Sequence, residues 1–210
     1  MEFLNYILHI DKYLEIILNN YQNWFYVILF LLIFIETGLV IIPFLPGDSL
    51  LFASGMLAAS FPNQLNIILV VLSLLLAAIL GDTVNYTIGK YLGSKLIKIQ
   101  FFGKRIIKDN AIQKTENFFQ KYGSKTVVIA RFVPIVRTLA PFVAGISRMH
   151  YKTFIKYNIV GGTIWVIGIT FIGYFLGRIS LIKNNFEVAI LVIILFSILP
   201  ILIEYIKNKK

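Results

Sequence analysis

Long apolar runs without charge organise this chain more strongly than any amphipathic period. Ser49 to Gly81 carries no charge over 33 residues, and Tyr157 to Gly177 carries none over 21. Asn184 to Ile203 is interrupted only by Glu187, near its start. About 20 mostly apolar residues are enough for a helix to cross a bilayer. The pattern therefore predicts spanning helices at about Leu65–Ile88, Tyr157–Gly177 and Glu187–Ile203. Ile16 to Ile35 is also uncharged, but Asn19, Asn20, Gln22 and Asn23 make its first third polar.

Two other apolar stretches are interrupted. Trp24-Phe25-Tyr26 has the character of an interfacial aromatic anchor. The run that follows meets Glu36, Gly38, Pro43, Pro46, Gly47 and Asp48. Irregular backbone at membrane depth is tolerated only where protein covers it or water lines it. Residues 25–60 are therefore expected to form a broken, re-entrant hairpin that turns near Pro43–Asp48. Lys125–His150 sets Arg131, Pro134, Arg137, Pro141 and Gly145 among apolar residues. It is too short between its flanking charges to cross twice, so residues 125–148 read as a second re-entrant hairpin.

The two halves resemble each other. Ile88-Gly89-Lys90-Tyr91-Leu92-Gly93 matches Ile172-Gly173-Tyr174-Phe175-Leu176-Gly177, and Gly81-Asp82-Thr83 matches Gly161-Gly162-Thr163. Pro43 with Gly55 matches Pro134 with Gly145 at nearly the same spacing. The expected fold is an all-α membrane protein. It is an inverted repeat of surface helix, re-entrant hairpin and spanning helix, followed by a C-terminal spanning helix. An interfacial helix over 1–22 precedes a core over 25–180. The core has spans at 64–90 and 155–178 and an amphipathic helix at 95–123. A last span at 186–206 leads to a basic tail at 207–210. Inverted repeats recur in secondary transporters, with the site between broken helices.

Composition agrees with the pattern. Hydrophobic residues make up 58% and charged residues 14% of the 210, against about 45–50% and 25% in soluble domains. There is no cysteine, which excludes disulfides, thiol nucleophiles and cysteine metal sites. Met1 to Asn20 lacks a basic n-region and a small-residue cleavage site, so insertion is expected to rely on the internal segments.

The net charge of +10 invites a nucleic-acid reading, but its arrangement argues for a membrane surface. Residues 1–89 carry one lysine, residues 90–183 carry sixteen Lys and Arg, and the tail carries three. The positive-inside rule puts the Lys90–Lys125 loop and the C-terminus in the cytoplasm. Residues 104–122 mix Ile106, Ile107, Ala111, Phe118 and Phe119 with many charges, which suits a helix lying on the inner membrane surface or a solvated one. No P-loop pattern is present, so ATP-driven transport by this chain alone is unsupported.

Four ionisable residues sit inside the broken segments: Glu36, Asp48, Arg131 and Arg137. Each costs at least about 2.5–3.5 kcal/mol at the bilayer centre, so pairing, water or a ligand must hold it there. On a continuous helix, Arg131 and Arg137 would lie on different faces. A break at Pro134 lets both face one cavity. Two guanidiniums converging in a partly dry site suit an anionic phosphate, which Arg grips bidentately without losing its charge. Only five of the twenty basic residues are Arg, and Arg131 and Arg137, either side of Pro134, are two of them. Glu36 and Asp48 are proton-coupling candidates, since burial and a nearby Arg push a carboxyl in opposite directions. They serve equally well as plain counter-ions that hold the hairpins together. Asp82 is a secondary cavity candidate, with a helix–helix hydrogen bond as its other reading. Pro43, Pro46, Gly47, Pro134, Pro141 and Gly145 are the expected hairpin breakers.

The segment from Phe34 to Asp48, with Glu36, Gly38, Pro43 and Pro46-Gly47-Asp48, resembles the first signature of the DedA family of membrane proteins. That family is also called the SNARE-associated or VTT-domain family. Arg131-Phe-Val-Pro-Ile-Val-Arg137, followed by Pro141 and Ala144-Gly145, resembles the second. Gly81-Asp82 with Gly89 and Gly93 also fits, and the resemblance covers about residues 25–180. It implies two opposed re-entrant hairpins and lipid movement between leaflets. In bacteria it implies recycling of undecaprenyl phosphate, membrane homeostasis and dependence on the proton-motive force. The family's essential acids and arginines fall on Glu36, Asp48, Arg131 and Arg137.

The expected function is translocation of undecaprenyl phosphate, or another lipid phosphate, across the bacterial cytoplasmic membrane. It is coupled to the proton-motive force and supports envelope homeostasis and division. The alternatives are a proton-coupled exporter of small ions or drugs and a non-selective phospholipid scramblase. An enzyme is not expected, because no nucleophile with a paired His and acid is visible. No cofactor, metal or nucleic acid is expected. The expected partners are membrane lipids and protons, with a homo-oligomer left open.

Overall fold

The computed structural model describes residues 10–39, 47–97, 100–101, 104–105 and 109–179. Pro43, Pro46 and the turn of the first hairpin lie outside the described residues. So do the first nine residues, the span expected at 186–206 and the basic tail.

The described chain is helical apart from one small ladder. Helix α1 is Ile10–Gly38, kinked at Tyr21 where the backbone leaves helical geometry. Helix α2 is Gly47–Ser60 and α3 is Ile67–Leu96. Strands β1 (Gln100–Phe101) and β2 (Lys104–Arg105) pair antiparallel, Gln100 with Arg105 and Phe101 with Lys104. Helix α4 is Asp109–Tyr122. A 3-10 turn (Gly123–Lys125), the short α5 (Thr126–Ile129) and a second 3-10 turn (Ala130–Phe132) lead into α6, Pro134–Ile146. Helix α7 is Tyr151–Gly177.

Among the described residues, three helices are long and apolar enough to cross a membrane: Leu18–Gly38 within α1, α3 and α7. On α3, Ile68, Leu72, Leu76 and Leu80 are exposed at four-residue spacing. That spacing draws one apolar stripe down the outside of the helix, as a lipid-facing surface requires. The first arm of the expected re-entrant hairpin is thus itself of spanning length. Helices α2 and α6, with 14 and 13 residues, reach only about 20 Å at 1.5 Å per residue. That is short of a hydrocarbon core of about 30 Å.

The break before α6 follows from its sequence. Val133 precedes a proline and is extended, with φ −121° and ψ 105°. Pro134 then opens the helix, where its missing N–H costs nothing. Pro141 lies inside α6 and leaves the carbonyl of Arg137 without its helical donor.

The amphipathic helix expected over 95–123 is shorter than that, because α4 begins at Asp109. The sequence Ile97-Lys98-Ile99-Gln100-Phe101 alternates with period two, which favours extended chain over helix. The apolar side of α4 is spent on protein as well. Ile112 is buried with Leu139, Phe142 and Val143 of α6, and Phe119 packs on Ala130, Val136 and Ala140.

The described residues gather into two compact units. One holds the chain up to Leu29, Pro46–Leu74 and the chain from Val166. The other holds Phe30–Leu45 and Leu75–Trp165. Each contains the same helix-on-helix contact. In the first, a side chain on Gly55 would strike the carbonyl of Thr170, one on Gly173 that of Phe52, and one on Gly177 Met56. In the second, Gly145 lies against the carbonyl of Tyr86, Gly89 against that of Phe142, and Gly93 against Ile146. Every α2 position precedes its α6 counterpart by 90 residues, and every α3 position its α7 counterpart by 84. The earlier match of Gly81 with Gly161 has an offset of 80, which is one helical turn less. An insertion of one turn returns the later glycines to the same helix face, so the drifting sequence offset preserves the packing.

Candidate functional site

The second unit encloses a polar cluster built from five stretches of chain. The last turn of α1 brings Glu36 and Thr37, both buried beside Ile33. Helix α3 brings Asp82 and Asn85, three residues apart and therefore on one face. The 3-10 turn before the break brings Arg131, and the first turn of α6 brings Arg137. Helix α7 brings Asn158 and Trp165, seven residues apart, with Gly161 and Gly162 between them.

Arg131 is 3% exposed. Its Nη2 donates to Asp82 Oδ2 at 2.5 Å and to Asn158 Oδ1 at 2.5 Å. Its Nε and Nη1 are buried and make no hydrogen bond. Room for the guanidinium comes from α7: a Cβ on Gly161 would lie 3.2 Å from Arg131 Nε and one on Gly162 3.5 Å from Nη2. Arg137 Nη2 donates to Glu36 Oε1 at 2.6 Å. Both guanidiniums rest on the ring of Trp165, at 5.5 Å for Arg131 and 5.1 Å for Arg137. The indole is 1% exposed, so these cation–π contacts are desolvated and worth about 2 kcal/mol each.

Two amides frame the pairs. Asn85 Nδ2 donates to the carbonyls of Thr37 at 3.0 Å and Thr138 at 2.9 Å. Those carbonyls follow Glu36 and Arg137 by one residue. Asn158 Nδ2 donates to the carbonyl of Ile79 at 3.1 Å, which fixes its Oδ1 toward Arg131. Two like charges on one ring repel, and at an effective dielectric of 20 a pair 4 Å apart exchanges about 4 kcal/mol. A carboxylate against each guanidinium, Asp82 for Arg131 and Glu36 for Arg137, offsets that repulsion.

Glu36, Arg131, Arg137 and Asp82 therefore come together. Arg131 and Arg137 converge because the chain breaks between them at Val133. Asp48 is exposed in the first turn of α2, which belongs to the first unit. Gly47 is buried at the start of α2. Gly145 lies on the α3 contact, so its place is explained by packing. Sequence reasoning missed Asn85, Asn158 and Trp165. The available signal was polar residues and paired glycines on one face of an otherwise apolar span, at positions 158, 161, 162 and 165.

A helical membrane protein with two carboxylate–arginine pairs on one indole, one buried and one partly buried, is the class that this fold and site define. Residues 45–175 match the VTT domain. The chain is 48% identical over 207 residues to Protein DedA of Escherichia coli (strain K12), covering 99% of this chain and 94% of that protein. It is 42% identical over 174 residues to an uncharacterized membrane protein of Mycobacterium tuberculosis (strain ATCC 25618 / H37Rv), covering 83% and 75%. It is 35% identical over 157 residues to Inner membrane protein YqjA of Escherichia coli (strain K12), covering 73% and 68%. The chain belongs to the VTT-domain, or DedA, family of membrane proteins. No solved structure matches.

Proposed function

We propose that this chain is a lipid-phosphate carrier of the bacterial cytoplasmic membrane. Its preferred cargo is undecaprenyl phosphate, and its cycle is coupled to protons. The observation that carries this reading is Arg131: a guanidinium buried in an apolar chain with Nε and Nη1 unspent. Buried donors normally find an acceptor, and a phosphate oxygen supplies a charged one. Arg137 on the same indole provides a second grip on the headgroup, while the isoprenoid tail stays in lipid. Glu36, held by Arg137, competes with the phosphate and is released when it takes a proton. The chemistry is binding and release, without a covalent step, so the chain acts as a carrier and not as an enzyme. The similarity to the inner membrane protein YqjA supports an inner-membrane placement, and the basic loop after α3 supports its cytoplasmic side.

The test is leaflet translocation in proteoliposomes carrying undecaprenyl phosphate or a labelled glycerophospholipid, with and without a proton gradient. Undecaprenyl phosphate is expected to flip, with the gradient raising the rate, and both Arg137→Ala and Glu36→Gln are expected to abolish that response. Equal flipping of every lipid would replace the carrier with a scramblase. No flipping by folded protein would overturn lipid transport.

A further inference from the structure

A row of exposed cations leads into an apolar stripe on α7. Lys152, Lys156, Val160 and Ile164 are all exposed and follow one another at four-residue spacing, so they share a face. The first two are charged and the next two apolar. Arg148, also exposed, stands four residues ahead of Lys152, before the helix begins. Helix α3 shows the same change in the opposite order. Leu76, Leu80 and Val84 are exposed, and Lys90 and Tyr91 follow them. The Lys90 ammonium lies 5.4 Å from the centre of the Tyr91 ring, which is 70% exposed. Lysine and tyrosine keep an apolar stem or ring toward hydrocarbon and a polar tip in water. Such a change marks the depth of the lipid headgroups on each helix.

Packing brings these two helix ends together. The Tyr86 hydroxyl donates to the carbonyl of Met149, and its ring stacks on Phe154 at 4.5 Å and meets Tyr151 at 5.7 Å. A Cβ on Gly145 would lie 2.7 Å from the backbone nitrogen of Lys90, and the Gly145 carbonyl accepts from the backbone N–H of Arg148. No ion pair among the described residues involves Lys90, Arg148, Lys152 or Lys156.

The backbone at Arg148 is strained. Its N–H bonds the carbonyl of Gly145, and that of Met149 bonds the carbonyl of Ala144. Those paired bonds commonly close a helix around a left-handed glycine. Here the left-handed residue is an arginine with φ 52°, and among the described residues no other non-glycine has a positive φ. A Cβ in that region crowds the carbonyl that follows it. Gly123, at φ 56°, shows the unstrained choice. Strain that persists at an exposed position points to a task for the side chain.

We propose that Arg148, Lys152, Lys156 and Lys90 hold the headgroup phosphate of an anionic phospholipid whose chains lie along the exposed stripes of α3 and α7. The site is separate from the buried cluster and stands without the carrier reading. Arg148 grips the phosphate with its planar fork, and the lysines neutralise it as point charges. A lipid fits better than a soluble anion, because the cations end where the apolar stripes begin.

The absence of native cysteine lets a fluorophore be placed at the site. Ser147→Cys, exposed beside Arg148, is labelled with an uncharged fluorophore, and the full chain is reconstituted in phosphatidylcholine. Spin-labelled phosphatidylglycerol or phosphatidylcholine is then added as quencher. Phosphatidylglycerol is expected to quench at the lower mole fraction. A label at Asn63→Cys, in the first unit, is expected to show no such preference. Each cation near a membrane surface is worth about a fivefold change in anionic-lipid binding. Arg148→Gln is therefore expected to raise the half-quenching mole fraction of phosphatidylglycerol about fivefold. Adding Lys152→Gln and Lys156→Gln is expected to erase the preference. Arg148→Gly separates this role from a structural one. It relieves the strain, so the unfolding temperature in neutral detergent is expected to rise by about 2–4 °C while the preference falls as in Arg148→Gln. A lower unfolding temperature would show that the arginine serves the fold, and would overturn the proposal. Equal quenching by both lipids at Ser147→Cys would overturn it as well. Displacement of phosphatidylglycerol by inorganic phosphate would replace the lipid with a soluble anion. A preference that survives the triple variant and is lost in folded Arg137→Ala would move the headgroup to the buried cluster and overturn this site.

Discussion

Asn85 spends both hydrogens of its side-chain amide on backbone, and the two carbonyls it holds belong to Thr37 and Thr138. One of these ends the helix that carries Glu36; the other lies in the first turns of the helix that carries Arg137. A single buried amide thus ties together the backbones behind one ion pair. Asn85→Ala removes two buried hydrogen bonds, at about 0.5–1.5 kcal/mol for each. A lower unfolding temperature in detergent is expected, together with weaker anion binding by Trp165 fluorescence. Wild-type stability in this variant would show that Glu36 and Arg137 find each other unaided. Nothing in the sequence marks Asn85 for this task. Asparagine in an apolar helix announces that some partner exists, but the partners here are backbone groups 48 and 53 residues away.

The helix pairs repeat a single contact in which glycine lets one backbone meet another. Gly145 sits against the Tyr86 carbonyl and Gly89 against that of Phe142. A methyl at either position must push two helices apart, and overpacking of this kind costs about 1–3 kcal/mol. Gly168, exposed on α7, has open space where its Cβ would be. Replacing glycine by alanine in a helix interior gains about 0.5–1 kcal/mol when nothing is struck. Gly145→Ala is therefore expected to lower the unfolding midpoint and Gly168→Ala to raise it, measured in the same detergent. Equal effects would mean that the close approach tolerates a methyl. The sequence made these elements largely legible, because a proline fixes the residue before it and a charge-free run fixes a span. At α4 it leaves two readings open, because apolar residues among charges look the same whether they meet lipid or α6. It also could not show that the first arm, ending at Gly38, is itself long enough to cross.

Across the whole molecule, what could be read from sequence was which residues are costly, and what could not was which of them meet. Arg131, Arg137 and Glu36 stood out because charge in an apolar run needs a reason. Asp82 ranked lower, since the face of an almost uniformly apolar helix carries no period from which to choose a partner. Trp165 looked like any aromatic core residue until two guanidiniums were found on its ring. The asymmetry of basic residues makes a further global statement. By the positive-inside rule the residues after α3 are expected in the cytoplasm, and the 30 residues of α3, about 45 Å long, are enough to put its start on the other side. The absence of native cysteine lets each end be labelled without background. A single cysteine at Asn63, before α3, is expected to react with an impermeant maleimide added outside intact cells. One at Ser94, in the last turn of α3, is expected to react only after the membrane is opened. The reverse pattern would invert the chain in the membrane. Labelling of both from outside would mean that α3 does not cross, and the lipid-carrier reading would fall with it, because a site on such a chain could not face both leaflets.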